Sequence, residues 1–212
     1  MHPVPHLAWR LRALLAAPLA ALALGAAAAP APSPTTTSAT TAAPAAAAAA
    51  VSAYADDWFA AARAGRVDLL GPLLAAGFPI DRRTPEGYTA LTLSVYDGHA
   101  DAVALLLKAG ADACAADQHG NTALMGALFK GQTAIAQRLL ESRCDINQSN
   151  NAGETALSFA TLFGRYDALP ALLAHGADLE HVDAQGHTAL QLAVSQGNTA
   201  AVTALREAGA SH

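Results

Sequence analysis

The sequence repeats itself every 33 residues over most of its length. Each copy opens with a glycine, one variable residue and Thr-Ala-Leu, and these openings begin at Gly87, Gly120, Gly153 and Gly186. A second glycine keeps the same spacing, at Gly65, Gly98, Gly131, Gly164 and Gly197. A fixed period of about 20–50 residues is typical of one structural unit stacked on copies of itself. We therefore expect a solenoid, in which the position of a residue within the unit decides whether its side chain is buried.

A single copy predicts the order turn, helix, turn, helix. The segment Thr-Pro-Glu-Gly that starts at Thr84 favours a turn, and Thr89 can cap a helix that begins at Ala90. Gly98 and Gly110 are expected to end the two helices, because glycine readily adopts the left-handed conformation found there. One unit has too few apolar residues to be stable alone, so neighbouring units must stack.

The repeated unit resembles the ankyrin repeat. Besides the openings, the matching residues are the mid-unit glycines, the paired leucines and the Gly-Ala-Asp endings: Leu106-Leu107, Leu139-Leu140, Leu172-Leu173, Gly110-Ala111-Asp112 and Gly176-Ala177-Asp178. The resemblance covers about residues 56–212 and implies an all-α ankyrin-repeat solenoid of stacked helix-turn-helix modules joined by β-turn or hairpin loops. It also implies a non-catalytic protein that binds a partner protein through its concave face.

Aligning the copies divides a domain of residues 54–212 into a cap and four modules. In the cap, residues 56–81, Asp56 takes the place of the capping threonine and Trp58 that of the first buried leucine. The predicted modules are residues 82–114, 115–147, 148–180 and 181–212.

The residues before the domain have the composition of an export signal and a linker. Arg10 and Arg12 close a short basic segment, a Leu- and Ala-rich stretch follows, and small residues then suit a signal peptidase. We expect a signal peptide over 1–28, since the apolar run is short for a membrane span; an uncleaved membrane anchor is the alternative. Residues 29–53 are nearly all Ala, Pro, Thr and Ser, which predicts a disordered linker. A periplasmic or secreted protein is expected, without membrane association once the signal is removed.

The charge of the chain argues against an anionic partner surface. The full sequence carries a net charge of −5, and loss of Arg10 and Arg12 would leave ten basic residues against 17 acidic ones, or −7. Nucleic acids and anionic membranes attract concentrated positive charge. We therefore expect neither as a partner.

Motifs that would indicate catalysis or a cofactor are missing from the sequence. It contains no Gly-x-Ser-x-Gly, phosphate loop or dinucleotide fingerprint. His175, His181 and His187 are six residues apart, a spacing that matches neither a helix face nor a zinc finger. We expect no catalytic residues, no metal site and no cofactor; an enzyme or metal binder using these loop histidines is the alternative.

Two cysteines, Cys114 and Cys144, fall in adjacent modules at positions offset by three. Stacked helices lie roughly 8–10 Å apart, whereas a disulfide needs Cα atoms within about 7 Å. We expect free thiols; a disulfide, which export would permit, is the alternative if the offset shortens the gap.

Two positions just before the mid-module glycine are predicted to face the concave side. They carry Tyr96, Phe129, Leu162 and Phe163 in the middle modules, with Asp97 and Lys130 beside them. An apolar patch on a surface that stacking need not bury is typical of an interaction site. The alternative is that these side chains complete the core.

The turn tips are predicted to form a polar rim around this patch. The rim residues we select are Arg83, Tyr88, His119, Asn151 and His187. A polar rim around an apolar centre is typical of protein–protein interfaces, although ordinary solvated loops are equally polar.

We therefore expect a monomer that binds an unknown protein partner. Exported bacterial members of the family are sometimes associated with a catalase or related haem enzyme, so an accessory role there is one alternative. A secreted effector that binds a host protein is another.

Overall fold

The computed structural model describes residues 53–211, which form ten α-helices. The helices are α1 Ala55–Arg63, α2 Val67–Ala75, α3 Ala90–Tyr96, α4 Ala100–Lys108, α5 Ala123–Lys130, α6 Thr133–Leu140, α7 Ala156–Leu162, α8 Leu169–Ala174, α9 Ala189–Ser195 and α10 Thr199–Glu207. A short 3-10 helix, Tyr166–Ala168, leads into α8. Extended pairing within the described residues is limited to one antiparallel bridge, between Ala116 and Thr122. The prediction of an all-α solenoid is confirmed.

The helices form two layers. Each odd-numbered helix packs against the next odd-numbered helix, so that α1, α3, α5, α7 and α9 make an inner layer. The second helix of each module packs behind its own first helix, and α2, α4, α6 and α8 contact one another in sequence as an outer layer.

No helix between residues 53 and 211 is both long and apolar enough to span a bilayer. The predicted signal peptide, and the predicted linker through residue 52, lie outside the described residues.

Threonine starts the inner helix of every module, as predicted for Thr89. Its side-chain oxygen accepts a hydrogen bond from the backbone N–H of Thr92, and the Thr92 hydroxyl oxygen accepts in turn from the Thr89 N–H at 2.8 Å. The same threonine cap recurs at Thr122, Thr155 and Thr188. A cap of this kind stabilises a helix by about 1 kcal/mol, because it pairs N–H groups that the helix leaves free.

The N-terminal cap departs from the prediction at its first residues. Helix α1 begins at Ala55 after Tyr54, and Asp56 lies inside the first turn, so the expected capping role of Asp56 is wrong. Its carboxylate lies instead near the positive end of the helix dipole. Trp58 is fully buried and its ring packs 4.9 Å from that of Phe78, which closes the N-terminal end of the core.

One buried leucine per unit forms a continuous row through the outer layer. These residues are all at most 3% exposed: Leu73, Leu106, Leu139, Leu172 and Leu205. Small residues at the start of the inner helices, all at most 3% exposed, allow those helices to approach closely: Ala90, Ala123, Ala156 and Ala189. Because every module contributes the same side chains, the core runs uninterrupted from the cap to α10.

Cys114 and Cys144 form a disulfide, with their Cα atoms 5.3 Å apart, so the expectation of free thiols is wrong. The spacing of helix axes overestimates the distance between the two cysteines, because both lie in loops that follow outer helices. Adjacent modules approach more closely in these loops than the helix axes do.

Residues equivalent to Cys114 link modules at the other junctions. The side-chain oxygens of Asp81, Asn147 and Glu180 accept hydrogen bonds from backbone N–H groups of the next module, at 2.8–2.9 Å. The donors are the N–H groups of Asp112, Asp178 and Ser211. The disulfide replaces this hydrogen bond at the junction of modules 82–114 and 115–147.

Candidate partner-binding surface

Two exposed phenylalanines lie at the centre of the predicted concave face. Phe129, near the end of α5, and Phe163, just after α7, are 44% and 38% exposed. Their ring centroids are 4.8 Å apart with planes at 84°, the edge-to-face arrangement that aromatic pairs prefer. Phe163 also contacts the buried ring of Phe159 at 5.4 Å. The pair is therefore held on a buried base while its outer edges meet solvent.

Tyr96 contributes differently to this surface. It is only half-buried, and its ring lies over Gly126 of α5, where an added Cβ would be 3.4 Å from the tyrosine Cζ. On its other side the ring meets Tyr88 edge-on at 5.7 Å. Burial raises the pKa of Tyr96 to about 12, and the charge of Asp117 adds to the effect. Tyr96 thus spans two modules and keeps its phenol protonated at neutral pH.

We call the rings along this face the aromatic strip. It consists of Tyr88, Tyr96, Phe129, Phe159 and Phe163. The predicted residue Leu162 is half-buried beside Phe163, while the predicted Asp97 and Lys130 are exposed along its flank. The strip therefore combines apolar rings with two accessible charges of opposite sign.

The predicted rim residues divide into structural and exposed ones. Arg83 donates to the carbonyls of Gly87 and Ala116, and Asn151 donates through Nδ2 to the Gln118 carbonyl at 2.9 Å. Both therefore tie neighbouring turns together. Tyr88 belongs to the aromatic strip, and His119 is exposed.

His187 is the rim residue that pairs with a buried carboxylate. Its Nδ1 lies 3.5 Å from Oδ2 of Asp183, and about half of the histidine side chain is exposed. Burial alone would raise the pKa of Asp183, but hydrogen bonds from the His187 and Gln185 backbone N–H groups outweigh it and hold that pKa below its ordinary value. Asp183 therefore fixes the turn while the His187 ring remains accessible.

Successive turn tips are joined by backbone hydrogen bonds. The N–H of Gln118 donates to the Glu86 carbonyl at 3.1 Å, and the N–H of Asn151 donates to the His119 carbonyl at 2.9 Å. The next pair repeats the link, from Ala184 to Ala152 at 2.9 Å. The rim is thus ordered before any partner binds, which lowers the entropic cost of binding.

A family model described as ankyrin repeats (3 copies) matches residues 58–150 and 131–212. The chain belongs to the ankyrin-repeat family. Ankyrin repeats generally mediate protein–protein interactions, and the aromatic strip lies on inner-helix ends and turns of this ankyrin array. No curated protein matches the sequence at a significant level.

Sequence reasoning missed a set of residues that hold the ankyrin inner helices in place. Arg165 donates from Nε to the Leu128 carbonyl at 3.0 Å and from Nη2 to the Phe129 carbonyl at 3.1 Å. Gly131 leaves the space for this guanidinium, since its φ is +72° and an added Cβ would be 2.8 Å from the arginine Cζ. Arg165 therefore fixes the end of α5 that presents Phe129.

The sequence signal for this set was the position directly after the mid-module glycine. Polar side chains recur there, at His99, Gln132, Arg165 and Asn198. His99 Nε2 contacts the Arg63 carbonyl at 2.8 Å, which repeats at the cap the role that Arg165 has at α5. From this position Arg165 and His99 reach the end of the preceding inner helix, whereas Asn198 caps its own helix by accepting from the Ala201 N–H.

The loop histidines of the array contact backbone atoms. His181 Nε2 lies 2.8 Å from the Gly153 carbonyl, and His175 Nδ1 lies 2.8 Å from the Ala171 carbonyl. Among residues 53–211, His, Cys, Asp and Glu nowhere form a group of three that could hold a metal ion. The contacts of His181 and His175 stabilise a turn and a helix end.

Proposed function

We propose that this protein is a non-catalytic ankyrin-repeat module that acts outside the cytoplasm and captures a partner protein on its concave face. The observation that carries the proposal is the exposed Phe129–Phe163 pair on a surface that module stacking leaves open. Aromatic anchors in ordered surroundings dominate the energetics of protein interfaces. An apolar side chain of the partner would bury the two rings together.

The flank of the strip indicates how a partner would be oriented. Lys130 and Asp97 are exposed at equivalent positions of adjacent modules, so a partner with complementary charges would bind in one direction. The negative net charge of the chain favours a protein over a nucleic acid. In this proposal the protein acts as a monomer and uses no cofactor.

Two features support a location in the periplasm or outside the cell. The first is the export-signal pattern in residues 1–28. The second is the disulfide between Cys114 and Cys144, since disulfides persist mainly in oxidising compartments. Fractionation of expressing cells, with the processed N-terminus determined by mass spectrometry, tests the location. Full-length protein retained in the cytoplasm would contradict it.

The binding surface is tested by a double substitution, Phe129→Glu with Phe163→Glu. Crosslinking and pull-down from the native compartment, followed by mass spectrometry, should recover the partner with the wild type. The double variant should bind it at least about 30-fold more weakly, because two hot-spot rings are lost and two carboxylates are placed in the interface.

A matched control separates surface loss from unfolding. Val194 is 54% exposed on α9, outside the aromatic strip, so Val194→Glu makes the same kind of change elsewhere. This control should bind the partner as the wild type does, and all variants should keep the helical circular dichroism. Undiminished capture by a folded double variant, or its unfolding, would overturn the assignment of the strip.

A further inference from the structure

We propose that the Cys114–Cys144 disulfide is a site of thiol–disulfide exchange. Its reduction by an external dithiol would loosen the junction between modules 82–114 and 115–147 while the array remains folded. Only the consequence for partner capture rests on the proposed function.

The disulfide replaces the usual link between modules. At the other three junctions an oxygen of Asp81, Asn147 or Glu180 accepts from the next module's backbone. Cys114 has no oxygen, and a thiol is a weak acceptor. Reduction would therefore leave this junction with neither the covalent bond nor the equivalent hydrogen bond.

The disulfide lies at the surface of the array. Both cysteines are only partly buried, and both line an open surface groove with Leu107, Arg138 and Arg143. Exchange requires a thiolate to approach one sulfur of the bond, so the rate depends on this access. A groove at the disulfide supplies that approach without prior unfolding.

Space is also left beside Cys144. A cavity of about 70 Å³ lies beside Cys144 and is also lined by Ala113 and Ser142. Residues equivalent to Ala113 are larger in the other units, namely Ile80, Ile146 and Leu179. The junction thus lacks apolar volume that the others have, and the Cys144 side chain has room to move once it is released.

The exchange balances in electrons and atoms. A thiolate of the dithiol attacks one cysteine sulfur, forms a mixed disulfide and expels the other cysteine as a thiolate, which takes up a proton. The second thiol of the reagent then displaces the attached cysteine. The products are two cysteine thiols and a cyclic disulfide of the reagent, which has supplied two electrons.

The two modules joined by the disulfide also meet in the aromatic strip. Tyr96 of one module packs over Gly126 of the next, so the two modules that the disulfide joins also share this ring contact. A looser junction would release the Tyr96 ring from Gly126. Reduction is therefore expected to weaken partner capture through the relative placement of Tyr96 and Phe129.

The test begins with native protein and dithiothreitol, without denaturant. Samples are alkylated with iodoacetamide at intervals, and the protein mass is measured by mass spectrometry. Two adducts should appear at a rate that rises with reagent concentration, while helical circular dichroism stays constant. A rate that is independent of reagent and equal to that of global unfolding would overturn the proposal.

Two variants then separate loss of the link from loss of sulfur. Cys114→Asn with Cys144→Ala copies Asn147 and Ala177, and so supplies an oxygen for the N–H of Asp145. Cys114→Ala with Cys144→Ala supplies no link. Amide hydrogen exchange over 110–131 should rise about tenfold in the reduced wild type and in the Ala/Ala variant, but much less in the Asn/Ala variant. Equal amide exchange in the oxidised and reduced proteins would contradict the proposal that reduction loosens this junction.

Neither measurement needs the partner, so failure here is distinguishable from failure of the proposed function. Once the partner is known, the Ala/Ala variant should bind it more weakly than the oxidised wild type, and the Asn/Ala variant should bind nearly as well. Equal binding by all three proteins would overturn the link between the junction and the aromatic strip.

Discussion

At the scale of single residues, Ala113 illustrates how much one side chain contributes to stacking. The equivalent residues Ile80, Ile146 and Leu179 have larger side chains, and a cavity of about 70 Å³ lies next to Ala113. The backbone of these loops therefore already accommodates a branched residue in other modules. A larger apolar side chain at position 113 would bury additional surface in this cavity and so stabilise the folded state.

Replacing Ala113 by Ile is expected to stabilise the protein by about 1 kcal/mol, because the larger side chain would bury apolar surface against the 70 Å³ cavity. Urea unfolding of the oxidised protein measures the change. Ala90→Val is the control, since Ala90 is fully buried and lines none of the described cavities, so overpacking should cost about 1–3 kcal/mol there. A loss of stability in Ala113→Ile as large as that in the control would show that the cavity cannot accept the side chain.

Tyr96 gives a second residue-scale prediction, for alkaline pH. An unfolded tyrosine ionises near pH 10, whereas burial raises the pKa of Tyr96 to about 12. Between these values the folded state retains a proton that the unfolded state has lost, so stability falls as pH rises. The effect is absent below about pH 10.

The variant Tyr96→Phe has no phenol at this position and should escape that loss. Urea unfolding of both proteins at about pH 9 and pH 11 is the measurement. The wild type should lose more stability than the variant between the two conditions. Equal losses would mean that the phenol of Tyr96 ionises as freely in the folded protein as in the unfolded chain.

At the scale of elements, the end of helix α5 depends on a side chain from the following module. Arg165 donates two hydrogen bonds to α5 carbonyls and places positive charge at the negative end of the helix dipole. Arg165→Met keeps the apolar stem and removes both effects. We expect a loss of about 1–2 kcal/mol and faster amide exchange at 128–131.

The control is Arg138→Met, because Arg138 is an exposed arginine on the neighbouring outer helix α6. It should change stability by less than about 0.5 kcal/mol. Similar losses in both variants would show that the contacts of Arg165 with α5 contribute nothing specific.

The elements themselves could be predicted from the sequence, but the contacts between them only in part. Periodic glycines and the Thr-Ala-Leu openings indicated where helices begin and end, since these are local effects of backbone conformation and capping. The disulfide and the reach of Arg165 depend on how closely loops of adjacent modules approach. That distance follows from the stacking geometry, which no local pattern in the sequence specifies.

The candidate site was likewise predictable from the sequence only in part. The repeat position placed Phe129 and Phe163 near the surface, where they are 44% and 38% exposed. It could not show that Tyr96 lies across Gly126, because this depends on the absence of a side chain in a different module. Whether the strip binds a partner stays a prediction.

At the scale of the whole molecule, stability is a sum over neighbouring modules. Each internal inner helix packs against one neighbour on either side, whereas α9 and its outer helix α10 end the row. In such a one-dimensional array, the effect of a core substitution depends on where along the row it lies. The equivalent leucines Leu139 and Leu205 allow a comparison at constant chemistry, since they are 3% and 0% exposed.

Leu139→Ala should destabilise the whole array by about 2–5 kcal/mol, because a cavity at its centre weakens contacts with modules on both sides. Leu205→Ala removes the same atoms from the last module, which can unravel alone. Its amide exchange should rise mainly within 189–211, while the main urea transition shifts less and becomes broader. Hydrogen exchange with mass spectrometry and urea unfolding of both variants measure these outcomes. If Leu205→Ala increased exchange evenly from 55 to 211, the array would unfold as one cooperative unit, and coupling between modules would exceed the stability of the terminal module.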